Sequence, residues 1–122
     1  MHRVDLGHLP PHLQAAAFSI GEELAWPRKE ALEVIDWIAH RGWAVEGVEI
    51  WLPAESGPEI PFPLMYTWQV PPRTEKESWP TFVMRAKEQA SSYIRNFRGD
   101  ASDLAYQNRE PFFNLDITAR SY

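Results

Sequence analysis

Between Trp79 and Phe97 the apolar residues Trp79, Phe82, Val83, Ala86, Ala90, Tyr93, Ile94 and Phe97 recur in steps of three and four. Only an α-helix brings residues at that spacing onto one face, so the stripe commits this stretch to a helix laid against a core. Arg85, Lys87, Glu88, Ser91, Ser92 and Arg95 fall on the opposite, water-facing side. Ser78 is placed to cap the first turn, and Pro80 is tolerated there because first-turn N–H groups lack intrahelical acceptors. Gly99 supplies a C-terminal stop. A helix with one apolar stripe needs a second layer to bury it.

A second helix runs from Pro27 to about Arg41, with Ala31, Leu32, Ile35, Ile38 and Ala39 turned inward and Gly42 closing it. Its outer side carries Glu30, Glu33 and Asp36, and Trp37 lies off the apolar stripe, which predicts an exposed indole. The period then changes to two. From Trp43 to Leu52, Ala44, Val48, Ile50 and Leu52 alternate with Trp43, Val45, Gly47, Glu49 and Trp51, a strand apolar enough on both faces to lie inside a sheet. Glu55-Ser56-Gly57-Pro58 reads as a turn, and a second strand follows from Phe62 to Val70, making a hairpin. Pro71-Pro72 ends it, since neither residue can donate to a ladder. Phe112 to Ala119 alternates again and gives a third strand. Residues 1–25 carry the weakest pattern, with a short helix starting at Pro10-Pro11 and running to Phe18. The order (α)–α–β–β–α–β predicts an α+β fold: two main helices packed on a mainly antiparallel sheet of at least three strands. The expected organisation is one domain over residues 1–122, with residues 1–20 a loosely attached N-terminal segment.

A chain of 122 residues buries about two thirds of its extended surface, enough for one core. With 44% hydrophobic and 24% charged residues it sits well away from the composition of disordered chains. It contains no cysteine, which removes disulfides, thiolate metal sites and cysteine nucleophiles together. Met1-His2-Arg3-Val4-Asp5 opens no apolar run of signal-peptide length, and no membrane-spanning run of about 18 apolar residues occurs. A cytoplasmic protein is the expectation. Net charge is −5, unevenly divided: residues 1–60 hold ten acidic and four basic side chains, −6 in all, and residues 61–122 hold seven and eight, +1. Such a balance disfavours nucleic acid and anionic membranes as partners and favours a basic protein.

Catalytic patterns are missing. Four histidines, His2, His8, His12 and His40, show no metal-ligand spacing, and His40 suits a helix C-terminus, where its charged form interacts well with the dipole. No nucleophile elbow or glycine-rich phosphate cradle occurs, so neither cofactor nor metal is expected. Glu46 and Glu49 stand among apolar neighbours, three residues apart and so on opposite faces. Their expected role is one carboxylate in water and the other paired with an arginine such as Arg85 or Arg95. An alternative reading places a small-molecule pocket, or a small active site, around Glu49, walled by Trp51, Tyr66 and Trp68.

Six tryptophans are many for this length, and tryptophan beside charge is the composition of protein interfaces. Glu30, Glu33, Asp36 and Trp37 are therefore the candidate partner-binding residues. If Trp37 meets its own symmetry mate instead, the chain is a homodimer; otherwise it is a monomer. One set of segments also resembles a known family: Ala25-Trp26-Pro27 opening a helix, the strand Gly42-Trp43-Ala44-Val45-Glu46-Gly47-Val48-Glu49-Ile50-Trp51, then Tyr66-x-Trp68, Ser78-Trp79, Ala90-x-x-Tyr93-Ile94-x-x-Phe97 and Pro111-Phe112-Phe113. Over about residues 20 to 119 this resembles the immunity protein 40 family of bacterial polymorphic toxin systems. The resemblance implies a small cytoplasmic protein that neutralises a cognate protein toxin by binding it, with no catalysis and no cofactor, and it brings no catalytic residues to carry over.

Overall fold

A computed structural model describes residues 6–51, 67–98 and 110–119. The elements follow in the order α1 (Pro11–Ala16), β1 (Phe18–Ile20), β2 (Glu23–Pro27), α2 (Arg28–His40), β3 (Ala44–Trp51), β4 (Thr67–Gln69), α3 (Trp79–Asn96) and β5 (Phe112–Thr118). The strands form one sheet in the order β1-β2-β5-β3-β4, every neighbouring pair antiparallel. The fold is α+β as expected, with three helices and five strands among the described residues. The C-terminal strand β5 inserts between β2 and β3, so the chain's last described element holds the sheet's middle.

The expected α3 forms almost as its stripe dictates. Ser78 Oγ accepts from the Thr81 backbone N–H at 3.2 Å, and Pro80 sits in the first turn. Phe82, Val83, Ala86, Ala90 and Ile94 are buried, while Trp79 and Tyr93 are half-buried. Ser91, expected in water, is buried as well. The helix ends at Asn96 with Phe97 as an extended C-cap; Gly99 lies outside the described residues. Arg85 leaves the wet face to clamp the preceding loop: its Nε and Nη2 each reach a Glu77 carboxylate oxygen at 2.8 Å. Its other N–H groups meet the Pro71 and Pro72 carbonyls. That hydrogen-bonded pairing holds the Glu77 carboxyl below its usual range and raises the Arg85 guanidinium.

Two strands escape the sequence pattern. Ser19 and Leu24 pair within a β1–β2 hairpin whose closing pair is Ile20 and Glu23, leaving Gly21-Glu22 as a two-residue turn. Gly21 has φ +60 and Glu22 does not share the positive sign, the type II′ arrangement that matches strand twist. The Gly21-Glu22 dipeptide was the available signal, but a three-residue strand is too short to show a period. Pro27, expected inside α2, instead ends β2 and serves as the helix N-cap. The buried stripe of α2 is Ala31, Val34, Ile35 and Ile38, spaced i, i+3, i+4 and i+7; Leu32 and Ala39 are only half-buried at its margin.

Strict alternation in β3 fails at one place. Val45 faces Ile117 and Gly47 faces Asp116, so Glu46 is an extra residue that resets the phase. Val45 thereby joins Val48 and Ile50 in the main core instead of lying opposite them. Of the expected strand Phe62 to Val70, the described part is β4, Thr67–Gln69, antiparallel to β3; Leu52, the turn at 55–58, and residues 62–66 lie outside the described residues.

Trp26, Val48, Ile50, Phe113 and Leu115 meet Leu9, Leu13, Val34, Ile35, Ile38 and Ile94 in one core between sheet and helices. The register puts Gly47, Glu49, Thr67, Gln69, Asn114 and Asp116 on the other face of the sheet. No helix among the described residues is long and apolar enough to cross a membrane.

Candidate protein-binding face

The outer side of α2 collects charge and indole. Glu30 and Glu33 are half-buried and Asp36 is exposed. Two of these carboxylates are engaged: Glu33 Oε1 lies 2.9 Å from His12 Nε2 on α1, and Asp36 Oδ1 lies 3.0 Å from Lys87 Nζ on α3. The acidic row of the sequence is thus partly compensated by bases from both neighbouring helices. Pairs this exposed contribute about 0–1 kcal/mol each to folding, so their geometry says more about the face than about stability.

Trp37 corrects the expectation of an exposed side chain, being half-buried. The turn at Gly42 brings Trp43 back against the end of α2, where the two indoles meet edge to face with centroids 5.8 Å apart. Arg41, the residue after the helix, lies over both, its guanidinium carbon 4.7 Å from the Trp37 centroid and 4.9 Å from that of Trp43. A concavity of about 530 Å³ opens here, lined by Asp36, Trp37, His40, Arg41 and Lys87. Arg41 and Trp43 belong to this face although helical periodicity does not mark them. Trp43 counts as a strand residue in the period-two pattern, and only the turn places it beside α2.

The second set of sequence candidates, Glu49, Trp51, Tyr66 and Trp68, comes together only in part. A groove of about 480 Å³ runs along the sheet, lined by Glu49, Trp68, Asn114 and Asp116, with Glu22 and Glu23 on the β1–β2 turn and strand. Its lining is richer in carboxylate and amide than in aromatic groups. Trp51 does not wall it; two residues from Glu49 on the same strand, its Nε1–H donates to Glu49 Oε1 at 2.8 Å. Tyr66 lies outside the described residues. Trp68, which does line the groove, also stacks on Tyr93 of α3, the rings nearly parallel with centroids 5.0 Å apart, and burial pushes the Tyr93 phenol above its ordinary range. Among the described residues, neither carboxylate of β3 meets an arginine. Glu46 accepts from the Thr118 hydroxyl, Arg85 is taken by Glu77, and Glu49 is satisfied by Trp51.

His12 is held by Glu33, His8 is exposed, and His2 is outside the described residues; among those described, no group of three or more histidine, aspartate or glutamate side chains is arranged to hold a metal ion. Comparison with protein families matches the model described as immunity protein 40 over residues 13–116. Comparison with curated proteins and with solved structures gives no match.

Proposed function

The chain belongs to the immunity protein 40 family, and on that premise we propose that it covers its cognate toxin with the outer face of α2, acting as a single domain over residues 1–122. Membership makes it a non-catalytic protein that neutralises a toxin of a polymorphic toxin system by direct binding. The contact residues we assign are Glu30, Glu33, Asp36 and Trp37. One observation carries the assignment: a half-buried indole cluster framed by exposed charge, the anatomy of an interface centre and its rim. A standard interface takes about 800 Å² from each partner, roughly a tenth of this chain's 7609 Å². The working form is a cytoplasmic monomer or homodimer, and the net charge of −5 supports a partner other than nucleic acid.

Carboxylates at a rim act mainly on encounter. Replacing Glu33 by Gln and Asp36 by Asn together is expected to slow association with the toxin by about 3- to 10-fold at low salt and to flatten its salt dependence. Stopped-flow association at two ionic strengths reads both. Unchanged rates would remove this face from the interface while leaving family membership untouched.

The groove over Glu49 favours a second, narrower reading, a site for a small cationic ligand, because among the described residues carboxylates line it and no lysine or arginine does. Spermidine and arginine methyl ester should then raise the melting temperature of the wild-type protein and leave Glu49→Gln unmoved. Equal melting with and without these cations disposes of that reading.

A further inference from the structure

We propose that Arg41 is a preset receptor for one carboxylate of the toxin, the anchor at the C-terminal end of the α2 face; this rests on the reading that the α2 face binds the toxin. Arg41 is exposed, yet its guanidinium is not loose. It lies in the corner made by two indoles set 80° apart, at 4.7 and 4.9 Å from their centroids. Each such contact attracts the cation to a ring face, so the two together restrict a side chain that otherwise samples many rotamers.

What the indoles leave unsatisfied is the hydrogen-bonding edge. Among the described residues the Arg41 side chain, which carries five N–H donors, makes no hydrogen bond or ion pair. The carboxylate lining the same concavity, Asp36, is engaged by Lys87 at 3.0 Å. In the concavity of about 530 Å³ beside it, Lys87 compensates the single acid, and the charge of Arg41 is left over, a locally positive spot on an acidic protein.

A planar guanidinium with a free edge matches a carboxylate by two parallel N–H···O bonds, a geometry that lysine cannot supply. Glu30 and Glu33, about three and two turns back along the same helix, would repel an extended polyphosphate, whereas a single aspartate or glutamate on a protein surface needs to meet only the Arg41 edge. The protein carboxylate is therefore the occupant. In this arrangement the acidic rim governs encounter, and Arg41 with its two indoles governs release.

The test uses the full chain and the purified toxin domain that it neutralises, with binding read as rates by surface plasmon resonance. R41A should weaken the complex by roughly 30-fold or more, mainly through faster dissociation, as expected for a hot-spot residue. R41K keeps the charge and should still lose at least about 10-fold, because the fork and the planar contact with the indoles are gone. Both variants should melt close to wild type, since Arg41 is on the surface. Replacing each toxin aspartate and glutamate by its amide in turn should reveal one carboxylate in whose absence R41A costs nothing further. R41A and R41K that bind within twofold of wild type overturn this proposal alone. A loss in R41A that couples to no toxin carboxylate overturns the carboxylate as occupant. A wild-type chain that fails to hold the toxin overturns the toxin-binding reading, and this proposal with it.

Discussion

Trp26→Ala is expected to lose about 3–5 kcal/mol of folding stability, the upper range for a buried aromatic truncated in a core. Trp26 is 1% exposed, and its indole Nε1–H donates to the Leu13 carbonyl of α1 at 2.9 Å. Removal opens a cavity and also leaves that carbonyl without its donor, in a region where an unsatisfied polar group costs about 1–3 kcal/mol. The six-residue α1 is far too short to hold itself helical. It depends on Leu9 and Leu13 in the core, on the indole bond and on the His12–Glu33 contact. Urea unfolding should therefore show the loss of stability, and hydrogen exchange should show the α1 amides opening ahead of the rest. Trp26→Phe separates the two effects, since it keeps a ring and loses the donor. A Trp26→Ala variant within about 1 kcal/mol of wild type, or one whose α1 amides stay protected, would mean that the indole does not join α1 to the sheet.

Phe113→Ala carries a similar expected loss, about 3–5 kcal/mol, through a different part of the fold. Phe113 is fully buried on β5, cross-strand from both Trp26 on β2 and Ile50 on β3. Phe97 at the end of α3 meets its ring edge to face at 5.9 Å. Arg28 lies over the ring at 5.5 Å while donating to the Ile94 carbonyl, so one aromatic residue ties the start of α2 and the end of α3 to the middle strand. For a domain of this size the loss converts to a melting temperature lower by roughly 10–25 °C. Phe113→Leu should keep much of the volume and recover more than half of the loss. Equal melting of Phe113→Ala and wild type would place the main core elsewhere than on β5.

The parts of the fold legible in the sequence are those fixed by local periodicity. The α3 stripe, its Ser78 cap and the alternation of Phe112–Thr118 needed no information from distant residues, because a buried face imposes its period on any segment long enough to show it. The β1–β2 hairpin was not legible, since three residues cannot display a period. Nor was the bulge at Glu46, which is defined only by the partner strand that skips it. Strand order was equally out of reach: that β5 enters between β2 and β3 depends on pairings across 90 residues, such as the Asn114 amide donating to the Leu24 carbonyl. The candidate face shows the same division. Glu33, Asp36 and Trp37 stand out by their place on a helical wheel, whereas Arg41 and Trp43 become part of that face only through the turn at Gly42, where φ is +79.

The sequence by itself determined the class of fold, the positions of the two long helices, the acidic balance and the family, since each of these rests on residue types and near-neighbour spacing. Only the tertiary structure decided which carboxylates are compensated, by His12 and Lys87 from other helices, and that two indoles hold the Arg41 guanidinium. The physical reason is the range of the forces involved. Periodicity is enforced within a turn or a pleat, but a charge is satisfied by whatever the folded chain brings within about 4 Å, however far away it lies in sequence.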